Sequence, residues 1–174
     1  SGITIMGYAG VCAPNLANNS IPYLHGGNLF VEMLPFTQFG NGNNCPVTTN
    51  TGNNAPVVTM PAAGWTIPKS TPFSLTGTAT DPNSDPLTYS WEQVNTGPQG
   101  NPNSPSGNAP ILRPFSPVND GTRLFPKLSD ILNNTQTLGE LLPTYDRMMK
   151  FRLTVRDNRA GGGGVGSEEV IFFT

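Results

Sequence analysis

Phe151-Arg152-Leu153-Thr154-Val155-Arg156 is the stretch on which the reading of this chain turns. Apolar Phe151, Leu153 and Val155 alternate with polar Arg152, Thr154 and Arg156, the two-residue period of a strand with one face on a core and the other turned away. The arginines are therefore expected to point outward. Glu169-Val170-Ile171-Phe172-Phe173 supplies a partner, reached through the flexible run Gly161 to Gly164 as a hairpin link. Upstream, Leu87, Tyr89 and Trp91 share one face, with Thr88, Ser90 and Glu92 on the other. Phe73 to Ala79 alternates in the same way, and Ala55 to Met60 is a further short strand. Between them lie a turn at Asp81 to Pro86, a Pro/Asn/Gly/Ser loop over 95–110, an extended stretch from Arg113 to Pro126 and one helical turn at Leu128 to Leu132. Short strands, turn signals and an inward Trp91 predict a mainly β chain, with an immunoglobulin-like antiparallel β-sandwich over residues 53–174.

Residues 1–50 follow another pattern. Ile3-Thr4-Ile5 is a short β-branched run leading to Met6-Gly7-Tyr8-Ala9-Gly10, whose glycines call for a tight turn. Ser20-Ile21-Pro22 is a helix-start signal, and the pairs Leu29/Met33 and Phe30/Leu34 describe a short amphipathic helix ending before Pro35. Gly26-Gly27 weakens its first turn. The polar stretch 40–54, rich in Asn, Gly and Thr, reads as the joint between the two parts.

Composition narrows the function. Of 174 residues, 20 are Gly, 18 Pro and 19 Asn, so a third of the chain resists long helices. Charged residues make up 11% and the net charge is −2, which leaves no basic patch for nucleic acid. No apolar run is long enough to span a membrane, and the first residues lack a signal peptide's layout, so an export signal is expected upstream or already removed. With one histidine, His25, any catalytic triad or histidine-ligated metal must run through that residue; beside a helix start it reads more simply as a packed, half-buried histidine. Cys12 and Cys45, in a Gly/Asn-rich region, suggest a disulfide and an oxidising compartment, with two unpaired thiols as the alternative. Asp81, Asn83 and Asp85 alternate in a turn, and Asp157-Asn158 ends the strongest strand. These oxygen ligands suit calcium, although the same residues also make ordinary Asx turns. Trp65 is the one aromatic that could serve as a carbohydrate platform, while Trp91 alternates inward.

Taken in order, the blocks of sequence resemble a known group. Ile3 to Cys12 is similar to the Met-turn and following segment of metzincin zinc endopeptidases, specifically the reprolysin-like secreted metalloproteases of bacteria. Asn18 to His25 is similar to the segment leading into the last helix of their catalytic domain. Thr51 to Pro56, Ile67 to Phe73, Asp81 to Gln93, Thr122 to Pro126 and Phe151 to Asn158 resemble the immunoglobulin-like module that follows it. The resemblance implies that residues 1–50 are the C-terminal end of a metalloprotease catalytic domain, cut from a longer precursor. It also implies that Met6 is the apolar floor beneath the zinc and that Tyr8 stands near the zinc or the oxyanion in an intact enzyme. The zinc motif His-Glu-x-x-His-x-x-Gly-x-x-His is absent here, so this chain has no zinc ligands or general-base Glu of its own. Zinc is expected in the parent enzyme and not in this chain.

The expected function is a non-catalytic part of a secreted or cell-surface zinc endopeptidase, its sandwich stabilising the catalytic domain of the same precursor or binding a protein substrate or surface glycan. The alternative is a stand-alone adhesion or carbohydrate-binding module.

Overall fold

The structure is a computed structural model that describes residues 2–11 and 16–174. In chain order its strands are β1 (Val57–Thr59), β2 (Phe73–Thr76), β3 (Thr78–Thr80), β4 (Thr88–Gln93), β5 (Thr122–Phe125), β6 (Met148–Arg156) and β7 (Val165–Phe173). Among the described residues two α-helices accompany them, α1 (Leu34–Gln38), continuous with a wider π-helical turn at Asn28–Met33, and α2 (Leu128–Asn133), with a short 3-10 turn at Asn41–Asn44. The chain is mainly β, built of antiparallel pairs: a three-stranded sheet in the order β4-β6-β7 and two-stranded pairs β1-β3 and β2-β5.

The alternation of the opening stretch places β6 at the centre. Phe151, Leu153 and Val155 have no solvent exposure and pack with Trp91, Val170 and Phe172. Phe73 crosses from β2, stacking on Phe125 at 4.9 Å and meeting Phe151 and Phe172 edge-on. Such aromatic contacts add to the burial energy of the rings. Trp91 has its indole N–H donated to the Gly121 carbonyl at 2.9 Å, so its one polar atom is satisfied inside the core.

The alternating run Phe73 to Ala79, continuous in sequence, is two strands in two sheets. Thr76 pairs with Thr122, whereas Thr78 pairs with Thr59. Gly77 makes the step, and a Cβ there would sit 2.4 Å from Leu153 Cδ2. Only glycine lets the backbone lie this close to the core while changing sheets. The first helix also departs from expectation, running through Pro35 to Gln38. Proline removes an amide donor and crowds the preceding turn. The π-helical turn accommodates it by widening just before Pro35, where the Leu34 N–H bonds the Leu29 carbonyl five residues back.

An ion pair is enclosed at the edge of this core. Arg123 lies between the rings of Phe115 and Phe125, at 4.1 and 4.4 Å, and donates to Glu140, Trp91 O and Arg113 O. The Glu140 side chain is wholly buried and accepts the Lys127 N–H as well. Burial pulls the Arg123 pKa down to about 10 and pushes that of Glu140 up. Removing one partner leaves the other charge stranded, so Glu140→Ala is expected to cost about 3–5 kcal/mol in urea unfolding. A loss below about 1 kcal/mol would mean that water reaches Arg123.

Candidate functional site

The second face of β4 and β6 carries Ser90, Glu92, Arg152, Thr154 and Arg156, the residues whose alternation predicts an outward, solvated surface. They do face away from the aromatic core, but solvent does not reach most of them. Glu92 and Thr154 are fully buried and Arg152 is 9% exposed. What covers them is the segment from Tyr23 into the first helix. The Tyr23 hydroxyl donates to Glu92 Oε1 at 2.5 Å, and the Gly26 N–H donates to both carboxylate oxygens at 2.8 and 2.9 Å. Thr154 donates to Glu92 Oε2 at 3.2 Å. Arg156 donates to the Leu24 carbonyl and lies 4.4 Å above the Tyr23 ring, while Arg152 lies over Phe30 and is paired with Glu169.

Gly26 fits this closeness and nothing larger would. A Cβ on it would stand 2.6 Å from both Glu92 Oε2 and Thr154 Oγ1. The residue that weakens a helix start on paper is thus the one that lets the backbone reach the carboxylate. Burial, reinforced by Glu92, pushes the Tyr23 phenol well above its ordinary range, so Tyr23 remains a donor.

The Ile3 to Tyr8 segment rests on this docked segment. Ile3 and Thr4 are buried, and the Ile5 N–H bonds the Tyr23 carbonyl at 2.9 Å. Met6 and Tyr8 both take left-handed backbone angles, φ 72° and 52°, and stand 63% and 74% exposed. A left-handed non-glycine residue is uncommon. Here two of them turn apolar and aromatic side chains outward. Between this turn and the sheet lies a cleft of about 620 Å3, bordered by Thr4, Met6, His25 and Val31 on one side and by Lys150, Arg152 and Glu169 on the other. His25 accepts the Gly27 N–H on Nδ1 at 3.0 Å, which leaves the ring proton on Nε2. Burial lowers its pKa, opposed by Glu92 and assisted by Arg152. The ring's Nδ1 is occupied in local structure.

The other residues singled out by sequence divide. Among the described residues, Asp81, Asp85 and Asp157 form the group of three metal-ligating side chains that converge, with ligand oxygens within 4.8 Å of one another. Asn83 donates its N–H to Asp81 Oδ1 at 2.8 Å, and its own Oδ1 accepts the Asn54 N–H at 2.8 Å. Cys45 is exposed, and the Cys12–Cys45 pairing involves a residue outside the described ones. Trp65 is half-buried and stacks on Phe172 at 5.0 Å, so that ring is engaged with the core. No helix is long and apolar enough to cross a membrane among the described residues. Sequence reasoning missed Glu92, Arg152 and Gly26. The available signal was a lone Glu on a strand otherwise bordered by small hydroxyls.

No family model, curated protein or solved structure matches the chain.

Two predictions concern the docked segment. Tyr23→Phe removes one donor to a buried carboxylate and is expected to cost about 1–3 kcal/mol in urea unfolding. Gly26→Ala is expected to free the segment altogether, read as rapid proteolysis between residues 16 and 40; unchanged protection would show that Glu92 is not held by this backbone. A third prediction concerns pH. The folded His25 takes its proton at lower pH than the unfolded chain, so below its ordinary pKa of 6.5 the unfolded state binds more protons and stability falls as the pH drops. In His25→Gln that part of the decline should vanish, and an identical acid profile for the variant would assign it elsewhere.

Proposed function

We propose that this chain is the non-catalytic C-terminal portion of a secreted zinc metalloendopeptidase, in which an immunoglobulin-like β-sandwich holds the Met-turn segment in place. The observation that carries the reading is Glu92. Its fully buried carboxylate spends its oxygens on Tyr23 and Gly26, a backbone and a hydroxyl of the preceding segment. A stand-alone binding module has no need to devote one face of its central sheet to its own leading residues, whereas a module that stabilises a catalytic domain does.

A second feature supports the same reading. Ile5, Met6, Tyr8, Val11, Val31, Phe36 and Phe39 are all exposed among the described residues of 1–50, Phe39 to 86%. Exposed apolar side chains this numerous in one part of the chain support a partner surface. The metzincin-like order of the sequence blocks names its occupant, the remainder of the catalytic domain in the same precursor. In that enzyme zinc would activate a water for attack on a peptide carbonyl. This chain's own residues supply none of the zinc ligands; Met6 would form the apolar floor and Tyr8 would stand at the rim. The Trp65 stacking on Phe172 weakens the glycan-platform alternative.

The natural coding sequence ahead of Ser1 tests the proposal. It should encode His-Glu-x-x-His-x-x-Gly-x-x-His shortly upstream, and the chain expressed with that segment should cleave a peptide substrate in a chelator-sensitive way. An upstream sequence without a zinc motif would contradict it.

A further inference from the structure

Between the docked segment and the β structure runs a stretch of chain that is anchored at both ends and free in the middle. The turn at Asn41–Asn44 lies against the Phe36 ring and stops at Cys45, because Pro46 keeps the residue before it out of helical angles. From Pro46 to Pro56 the backbone has no regular structure, and every residue from Asn43 to Gly52 is exposed, Val47 to 96%. Among the described residues no hydrogen bond joins 46–49 to the rest of the chain. The nearest bonds are local, from the Gly52 N–H to Asn50 Oδ1 and from the Asn53 N–H to Thr51 Oγ1. Anchorage then resumes. Thr51 lies against Gly162, Asn53 donates to Asp157 and to the Gly162 carbonyl, and the Asn54 N–H donates to Asn83.

The chemistry of this joint is narrow. Residues 40–54 hold no charged side chain, the first Lys or Arg of the chain is Lys69, and the one aliphatic residue in the joint is Val47, preceded by Pro46. An endopeptidase that reads Lys or Arg finds no bond to cut here. One with a small apolar S1 pocket, of the elastase type, finds Val47–Thr48. Exposed backbone without hydrogen bonds can enter a protease cleft with no structure to give up first. The exposed pair Ala62-Ala63 offers similar side chains but is restrained, since the Gly64 N–H bonds the Ile171 carbonyl at 2.8 Å and Trp65 stacks on Phe172.

A cut at this bond leaves the two parts joined. The contacts between them lie elsewhere and are noncovalent: Tyr23 and Gly26 on Glu92, Arg156 on the Leu24 carbonyl, and Arg113 on the Leu16 carbonyl at 3.3 Å. Departure of the leading part would leave Glu92 with Thr154 as its remaining donor, a buried charge stripped of its partners. We propose that Val47–Thr48 is a processing site for an endopeptidase with a small apolar S1 pocket, and that the cleaved chain persists as a two-chain molecule. Water adds across the amide, leaving a carboxylate on Val47 and an amine on Thr48. The connector then no longer supplies an effective concentration, and the contacts around Glu92 alone hold the leading part on the sheet. This inference uses the docked segment and the joint, and it stands whether or not a zinc motif lies upstream.

The experiment treats the full chain with pancreatic elastase and follows the masses of the products. One early cut is expected, after Val47, giving pieces 1–47 and 48–174. On gel filtration at about 1 μM the two should elute together at the position of the uncut chain, and they should separate when urea is added. Val47→Asp should leave the melting temperature unchanged, because the side chain touches little, and slow the first cut about tenfold or more. In Tyr23→Phe, cut in the same way, the pieces should dissociate about tenfold more readily, through the loss of one donor to a buried carboxylate. Three results would overturn the proposal: a first cut anywhere else in the chain, pieces that part at that concentration without denaturant, or an undiminished rate of cutting in Val47→Asp.

Discussion

A carboxylate buried on the wrong side of a sheet governs this structure. Glu92 sits on the face of β4 that alternation assigns to solvent, and yet it is sealed from water. An ion taken out of water must recover its hydration from fixed donors. Tyr23, Gly26 and Thr154 are those donors, all three more than sixty residues away in sequence and two of them in the leading segment. The sheet therefore needs the leading segment as much as the segment needs the sheet. Arg152 and Arg156 extend the dependence, since their aliphatic stems and planar heads lie against Phe30 and Tyr23.

From this contact the arrangement of the rest follows. Docking the segment fixes the parallel bridge between Ile5 and Leu24 and hence the place of the turn at Met6 to Tyr8. It sets one wall of the cleft from Thr4, Met6 and His25, opposite Lys150 and Arg152. It also leaves apolar side chains, Phe36 and Phe39 among them, exposed. A single segment thus has one face satisfied within the chain and another that is not. That asymmetry underlies the reading of the molecule as part of a larger enzyme.

The strands were legible because their cause is local. Phe151, Leu153 and Val155 announce β6 by alternation alone, and Trp91 announces β4. Leu128 to Leu132 announces α2. The helix limits and the sheet change were not legible, because each depends on what approaches from elsewhere. Gly77 looks like one more small residue in a strand until Leu153 is seen beneath it. Gly26-Gly27 looks like a defect in a helix until Glu92 is placed beside it. The candidate site divides along the same line. The oxygen-bearing residues Asp81, Asn83, Asp85 and Asp157 all showed in sequence, but the convergence of Asp81, Asp85 and Asp157 comes from segments meeting in space. Arg152 and Arg156 were read correctly for the face they occupy and wrongly for what covers it, since alternation reports the side of a sheet and not its partner.

The claim on which the account rests is that the backbone at Gly26 is bonded to Glu92 in the folded chain. Amide hydrogen exchange at Gly26, measured site by site on the full chain, tests it directly. The account predicts protection comparable to that of central β6 amides such as Leu153, because opening the Gly26 bond strands a buried carboxylate. Exchange of the Gly26 amide at the rate of an exposed loop, with Leu153 still protected, would contradict it.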